Sequence, residues 1–319
     1  MTAPPRGAAP ESAAREASPR RPGGRTRHLL EYLLLRGVLA GVDALPPAGA
    51  CSAARGLATV WWALDGRRRR VAVENILAAG VETDRRAARR LSRLSAQHFG
   101  QVIIESLKSS AVLESDRADE LCRLEIAPDV LEVLEDPSRG LIMASGHFGN
   151  WEIAAHRLSR WKPVAGITRE MNNPRVDALL HKRKGRYRFR PIPKYAADPR
   201  RFLSVLESGE ILALLMDQHA HTGGVSAPFF GRPASTHTTA AMLHLVTRTP
   251  LCFASCRRVG PMRFVLETSP LIEHPATGKK KDDVRAILDR LHGYLEEVIR
   301  RDPDQYGWGH RRWRDESVA

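Results

Sequence analysis

The sequence has little cysteine for its length, with four in 319 residues. Four scattered cysteines are too few for the disulfide framework of a small secreted protein. We interpret Cys252 and Cys256, which lie in one apolar run, as small buried side chains in a reducing compartment. The length allows a sizeable core, and α/β domains of this size are common.

Acidic residues are scarce relative to basic ones, 36 against 50, which gives a formal net charge of +14. This excess predicts an anionic partner: a nucleic acid, an acidic membrane surface, or an acidic protein or ligand. Aromatic residues make up only 6% of the chain and do not interleave with the basic ones, and no nucleic-acid-binding module is recognisable. We therefore expect no nucleic-acid partner.

The sequence also lacks an apolar run long enough for a clear membrane span. The most apolar early segment, residues 28–45, contains Glu31, Arg36 and Asp43, whereas a span needs about 20 mostly apolar residues. We predict an interfacial helix there, with leucines in the headgroup boundary and arginines on anionic lipid. A short or tilted span and a core helix are the alternatives. Four consecutive arginines at 67–70 predict either a headgroup contact or a solvated face.

Three segments are predicted along the chain. Residues 1–27, rich in Pro, Ala, Gly and Arg, are predicted to be a disordered basic tail. Residues 28–319 are predicted to be a single domain, helical and membrane-associating over 28–140 and α/β over 141–319. In the second part, short apolar runs alternate with helical periodicity, which indicates a mostly parallel or mixed sheet flanked by helices. The predicted strands are 141–145, 163–167, 187–192, 211–216, 251–257 and 263–268, and the predicted helices of this part are 151–160, 175–184, 199–208, 236–246 and 282–301.

A strand-to-helix crossing is predicted at Gly146-His147-Phe148-Gly149-Asn150-Trp151-Glu152, directly after the apolar run 141–145. Asn150 is a suitable N-cap for the helical pattern that follows. A side chain on such a loop projects over the carboxyl end of the sheet, where ligands of open α/β folds usually bind. His147 is therefore the candidate for acid–base chemistry.

His147 and Glu152 lie five residues apart, about 140° on a continuous helix, where they would not meet. Gly146 and Gly149 allow a tight loop, by which the histidine can fold back onto the turn that carries the carboxylate. A carboxylate on one imidazole nitrogen leaves the other free to take a proton from a hydroxyl. The alternative is a capping histidine beside a surface glutamate. Ser145 is not favoured as a nucleophile, because no G-x-S-x-G elbow surrounds it.

The motif resembles the H-x4-D/E box of the lysophospholipid acyltransferase superfamily, in the form typical of the lipid A biosynthesis (lauroyl/myristoyl) acyltransferases. Further blocks match in the order typical of that family. They are Thr168-Arg169-Glu170-Met171-Asn172-Asn173-Pro174, Leu214-Leu215-Met216-Asp217-Gln218, Gly223-Gly224-Val225, Phe229-Phe230-Gly231-Arg232-Pro233 and Gln305-Tyr306-Gly307-Trp308-Gly309-His310-Arg311-Arg312-Trp313. The resemblance covers about residues 28–315.

The resemblance implies a glycerol-3-phosphate-acyltransferase-like fold, in which His147 is the general base and Glu152 orients it. Gly149 and Asn150 open the helix whose backbone amides are candidate oxyanion donors.

The other candidate substrate-binding residues come from the later blocks. Arg169 follows a predicted strand and suits the phosphate of an acceptor, with a structural salt bridge as the alternative. Asp217 ends a buried run and could bind acceptor hydroxyls or hold Arg169. Asn173 and Arg232 match the second box and the F-F-G box.

The activity implied by the resemblance is membrane-associated O-acyl transfer, from an acyl-carrier-protein thioester to a hydroxyl of a phosphorylated, lipid A-type glycolipid. The implied place is the cytoplasmic face of the inner (plasma) membrane, with the protein peripheral or anchored by residues 28–45. We expect no cofactor and no metal, since a thioester is already activated. Another lipid acceptor or a coenzyme A donor fits the same motifs.

Two other classes of protein compete with this interpretation. The first is a metal-dependent hydrolase, because Asp217-x-His219-x-His221 alternates potential ligands along one face of an extended chain. The second is a non-catalytic, lipid-binding relative.

Overall fold

The computed structural model describes residues 24–113, 117–168, 171–183, 188–194 and 198–314. A helical region comes first, and an α/β region follows it. The helices are α1 (Arg25–Ala44), α2 (Pro47–Leu64), α3 (Gly66–Ala78), α4 (Arg85–Leu113), α5 (Ala118–Leu121), α6 (Pro128–Glu135), α7 (Trp151–Leu158), α8 (Pro174–Arg183), α9 (Pro199–Glu207), α10 (Thr239–Thr247) and α11 (Lys280–Arg301).

The strands of the described residues form a seven-stranded sheet and a separate hairpin. They are β1 (Cys122–Glu125), β2 (Leu141–Ser145), β3 (Val164–Thr168), β4 (Phe189–Pro193), β5 (Ile211–Leu215), β6 (Val225–Phe229), β7 (Arg232–Thr236), β8 (Leu251–Gly260) and β9 (Arg263–Thr268). The order in the large sheet is β1-β9-β8-β2-β5-β3-β4, and β6 pairs with β7. All neighbours in the large sheet run parallel except β8 and β9.

Strand β2 lies near the middle of the sheet and is covered on both faces. Because successive side chains of a strand point to opposite faces, Leu141 and Met143 join one apolar cluster with α6 and α7. Ile142 and Ala144 join the other cluster, with α9, α10 and α11. The continuous apolar run that predicted this strand is therefore the consequence of burial on both sides.

The predicted fold class is confirmed, since a mostly parallel sheet flanked by helices follows a helical region. The prediction that residues 28–140 are helical is wrong at β1, which pairs with β9. Four residues carry too little periodicity to indicate a strand, and its partner lies far along the chain. The hairpin β6–β7 was not predicted either, so the helix expected from residue 236 begins at Thr239.

Three predicted boundaries differ from the structure or lie outside the described residues. Helix α1 begins at Arg25, inside the segment predicted to be a tail. Residues 1–23 lie outside the described residues, as do the predicted helix end at 184 and the predicted strand start at 187.

Helices α2 and α4 pack closely along one another and form the walls of a groove beside the sheet. A Cβ at Gly100 of α4 would lie 2.8 Å from the Cβ of Ala58 and 2.9 Å from the carbonyl oxygen of Ala54. The glycine is therefore required for the close approach of the two helices.

Helix α1 presents apolar side chains to the outside. Leu30, Leu34 and Val38, spaced four residues apart and so on one face, are exposed by 63%, 72% and 52%. Within the described ranges, none of the helices is both long and apolar enough to cross a membrane.

Candidate active site

The site lies where two neighbouring parallel strands end. In the register of β2 with β5, Ser145 pairs with Leu215. His147 and Asp217 each follow by two residues, so both emerge at the carboxyl edge of the sheet, side by side. Topology alone brings together two residues that are 70 positions apart in the chain.

Asp217 holds His147 by two hydrogen bonds. The Nδ1–H of His147 donates to Oδ1 of Asp217 at 2.8 Å, and the backbone N–H of His147 donates to Oδ2 at 2.9 Å. The Asp217 side chain is only 4% exposed, whereas that of His147 is 26% exposed. The carboxylate fixes the Nδ1–H tautomer and turns Nε2 outward, where the Nε2 amide of Gln218 lies 3.3 Å away and can donate to it.

The two groups shift each other's pKa in opposite directions. Burial lowers the pKa of His147, but the charge of Asp217 and its hydrogen bond outweigh burial and raise the pKa above 6.5. Burial favours the neutral form of Asp217, yet His147 outweighs it through charge and hydrogen bonds and lowers the pKa of the carboxyl to about 2. Asp217 is therefore ionised at every working pH, and His147 is a strengthened base.

The partner of His147 corrects the sequence analysis. Glu152 was predicted to orient the histidine, and Asp217 was predicted to bind acceptor hydroxyls or hold Arg169; the structure gives the orienting contact to Asp217. The loop carries Glu152 onward into the first turn of α7. Beside it, the ring of Trp151 lies 5.1 Å from the imidazole of His147, edge to face. A catalytic role for Glu152 stays a prediction.

Gly149 and Asn150 shape the loop through hydrogen bonds within the protein. Gly149 has φ +59°, and a Cβ there would lie 2.0 Å from the carbonyl oxygen of Cys256. Its N–H donates to the carbonyl of Gln305 at 3.0 Å, and the N–H of Asn150 donates to the carbonyl of Cys256 at 2.7 Å. Because both amides are already bonded to backbone, these two are excluded as oxyanion donors. Asn150 is the predicted N-cap, since its Oδ1 accepts from the N–H of Ile153.

Of the remaining candidate residues, the described ones, Asn173 and Arg232, contact other parts of the chain. Asn173 is buried and its amide donates to the carbonyl of His28 and to Glu31, which ties α8 to α1. The guanidinium of Arg232 lies over the ring of Trp313 at 5.7 Å. Arg169 lies outside the described residues.

Asp217, His219 and His221 do not form the metal site that the metal-dependent hydrolase alternative requires. Asp217 is committed to His147, and the rings of His219 and His221 pack edge to face with centroids 5.2 Å apart. In the described part of the chain, no three His, Cys, Asp or Glu side chains are grouped so that they could hold a metal ion. Ser145 is also engaged, because its hydroxyl donates to the carbonyl of Ala254 at 2.7 Å.

The C-terminal segment, for which the sequence suggested only an anionic contact or packing, forms part of the site. The N–H of Gly307 donates to the carbonyl of His147 at 2.9 Å. His310 lines the same cavity as His147, and its Nε2 accepts from the N–H of His219 at 3.2 Å. Together with Gln218, His310 is a site residue that sequence reasoning missed, although both lie inside blocks that resemble the family.

A groove of about 770 Å³ opens onto His147. Its polar end holds His147, Asp217, Gln218 and His310. The long walls come from α2, α3 and α4 and are mostly apolar, with Ala54, Leu57, Ala58, Trp61, Trp62, Ala72, Ala96, Phe99, Ile103 and Ile104. Arg68 and Arg69 line it as well, and they stack on Trp61 and Trp62 at 5.1 and 5.2 Å from the ring centroids.

The site combines a base fixed by a buried carboxylate with an apolar groove on an α/β sheet. This combination defines a class of proteins suited to taking a proton from a hydroxyl beside a long apolar chain. The chain belongs to the bacterial lipid A biosynthesis acyltransferase family, whose sequence model matches residues 24–315. The resemblance inferred from the motifs is thereby confirmed.

Individual relatives are distant and match in part. The lipid A biosynthesis palmitoleoyltransferase of Escherichia coli (strain K12) is 24% identical over 194 residues, which cover 60% of this chain and 61% of the relative. The lipid A biosynthesis lauroyltransferase of the same strain is 26% identical over 179 residues, 55% of this chain and 56% of the relative. A lipid A biosynthesis acyltransferase of Haemophilus influenzae is 25% identical over 185 residues, 56% and 57% of the two chains. The chain thus matches less than two thirds of the length of these relatives.

Proposed function

We propose that this protein transfers a fatty acyl group from an acyl-carrier-protein thioester to a hydroxyl of a phosphorylated glycolipid of the lipid A type. The observation that carries the proposal is the outward Nε2 of His147, held by buried Asp217 at the polar end of the groove. A coenzyme A thioester as donor and another lipid as acceptor are the alternatives within the same chemistry.

In the proposed reaction, Nε2 of His147 takes the proton from the acceptor hydroxyl while its oxygen attacks the thioester carbonyl. The tetrahedral intermediate then expels the thiolate of the donor, which receives that proton from the imidazolium. An ester bond forms and the thioester bond breaks, with no net change in protons on the enzyme. Asp217 stabilises the transient imidazolium, as its hydrogen bond and charge do in the resting site.

The groove is proposed to hold the acyl chain. Its apolar walls give the chain a surface to bury, at about 0.8 kcal/mol for each methylene. The thioester carbonyl then lies at the end that holds His147 and Gln218. We propose Arg169, predicted from the second box, as a contact for acceptor phosphate.

The proposed location is the cytoplasmic face of the inner membrane, with the protein held peripherally by α1. The exposed stripe of Leu30, Leu34 and Val38 supports this placement. The net charge of +14 favours both an anionic lipid surface and an acidic carrier protein.

The test is a transfer assay with the purified full chain, using acyl-carrier-protein or coenzyme A thioesters and a glycolipid acceptor with and without its phosphates. Mass spectrometry of the lipid should show one added acyl chain. We expect His147→Ala to lower the rate by about 10²–10⁴-fold while melting stays cooperative. Full activity in this variant would favour a protein that only binds lipid, and a preference for coenzyme A would correct the donor.

A further inference from the structure

Helix α4 sends two buried polar side chains toward the loop that carries His147. His98 and Glu105 are seven residues apart, about two helical turns, and so lie on one face. They are 1% and 0% exposed. Polar groups are rarely buried this completely unless their hydrogen bonds are satisfied, so their partners indicate what they do.

His98 joins an arginine to the loop. Nη2 of Arg258, on β8, donates to Nδ1 of His98 at 2.9 Å. Since a guanidinium only donates, Nδ1 is the acceptor and Nε2 carries the proton. That Nε2–H donates to the carbonyl of Gly149 at 3.1 Å. The imidazole is therefore a fixed bridge between β8 and the loop, two residues after His147.

Glu105 completes the network from the next turns of α4. Its Oε2 accepts from the side-chain amide of Asn150 at 3.2 Å, and its Oε1 lies 3.6 Å from Nε of Arg258. Burial raises the pKa of Glu105 to about 7, although Arg258 and Asn150 partly offset the effect. Arg258 is fixed in turn, because its backbone N–H donates to Oε1 of Gln305 at 2.8 Å.

His98 and Glu105 bond to Gly149 and Asn150, whose backbone sets the direction of the loop. Gly149 has a positive φ, and as a glycine it has no side chain that could hold the turn in place. Its carbonyl accepts from His98, and the other side of the same peptide is held by the N–H of Asn150, which donates to the carbonyl of Cys256. A rotation at this peptide would pass back through Phe148 to His147 and lengthen the 2.8 Å contact with Asp217.

We propose that His98 is a positioning residue for the general base, and that the network of His98, Glu105 and Arg258 makes the helical region part of the catalytic centre. This inference rests on the proposed function for its rate readout. His98 touches no reacting atom; it acts through the loop.

His98 is a clean probe because it does not titrate in the assay range. Burial and the neighbouring Arg258 charge lower the pKa of His98 to about 3, against a weaker opposing effect of the Gly149 carbonyl. Among the groups that contact this network, Glu105 has a pKa raised to about 7 by burial. If Glu105 is left intact, a change in the His147 titration on substitution of His98 therefore reports a change in the geometry of the loop.

The experiment compares three substitutions in the full-length enzyme. His98→Gln places an amide N–H near the Nε2 position and keeps the bond to the Gly149 carbonyl. His98→Asn reaches only the Nδ1 position, so it keeps the Arg258 contact alone, and His98→Leu loses both. We expect kcat to fall by about tenfold to a hundredfold in the Leu and Asn variants, with KM for donor and acceptor nearly unchanged, and to recover in the Gln variant.

The matched control is His244→Leu. His244 is also a buried histidine bonded to a backbone carbonyl, with Nδ1 2.8 Å from the oxygen of Thr249, two residues after the end of α10. The melting temperature of this variant should fall about as much as that of His98→Leu, while its kcat stays unchanged. An unchanged kcat in folded His98→Leu and His98→Asn, or an equal loss in the His244 variant, overturns the proposal.

A second readout separates this inference from the proposed function. NMR titration of His147 should show its raised pKa moving back toward 6.5 in the Leu and Asn variants, but not in the Gln variant. If the wild-type protein transfers no acyl group, the proposed function fails and the titration alone decides the positioning role. An identical His147 titration in all variants would then reject it.

Discussion

The helical region and the α/β region treat their apolar side chains differently. Among the described residues, eleven of the fifteen large apolar side chains that are exposed lie between Leu29 and Ile103, and the other four lie beyond residue 160. The α/β region buries its apolar residues against the sheet in two clusters. This difference in surface composition supports the membrane placement proposed for the helical region.

The helical region and the α/β region both contribute to the site. The sheet supplies His147 and Asp217, but α2, α3 and α4 supply most of the groove that ends at them. The same α4 sends His98 and Glu105 into the loop. The helical region therefore has an inner face, with the apolar groove walls and the buried pair His98 and Glu105, and an apolar outer face on α1. Each face can be altered separately.

The largest expected effect is at the carboxylate that serves the base. Asp217→Asn should lower kcat by about 10²–10⁴-fold, because the amide cannot stabilise the imidazolium. Glu152→Gln is the comparison that decides which acid orients His147.

The pH profile of kcat/KM makes this test specific. His147 acts as a base when it is unprotonated, and its pKa is raised, so activity should rise with pH along a limb that lies above pH 6.5. Without the Asp217 charge, burial alone lowers that pKa, so in Asp217→Asn the limb moves to lower pH while the plateau falls. A limb that moves in Glu152→Gln and stays in Asp217→Asn would return the orienting role to Glu152.

The next effect concerns the outer face of α1. Replacing Leu30 and Leu34 by serine should weaken binding to anionic vesicles by about a hundredfold or more, since each fully buried leucine is worth about 1.5–3 kcal/mol. Activity on detergent-dispersed substrate should not change. Val246→Ser, at a 71% exposed site on α10, is the control in the α/β region. Equal vesicle binding by the control, the double variant and the wild type would remove the membrane role from α1.

The sequence predicted the local features of the site and missed those that depend on strand order. The buried run before His147 and the turn at Gly149 predicted the loop, because both are set by neighbouring residues. The pairing of His147 with Asp217 requires β2 and β5 to be adjacent, although β3 and β4 lie between them in the chain. That adjacency has no local signal, so the sequence alone points to the nearer carboxylate, Glu152.

The same reason accounts for the strand and the groove that were not predicted. Strand β1 is short and becomes a strand through its pairing with β9. Gly100 lets α2 approach α4, and both helices line the groove. A glycine inside a helical pattern indicates close packing in general, but it does not identify the partner helix.

The smallest expected effect, and the one that connects the two regions, is in the choice of acyl chain. Ala96 and Ile104 of α4 both line the groove and are partly buried. Ala96→Phe should shift the preference toward shorter donors and Ile104→Ala toward longer ones, by about fourfold in kcat/KM for each methylene that is lost or accommodated. Competition between donors of different length, analysed by mass spectrometry of the product, measures the shift. Because the two substitutions act in opposite directions on one helix, a general loss of stability cannot produce both results. Unchanged preferences in both variants would mean that the chain lies elsewhere, and that the helical region contributes only its grip on the loop.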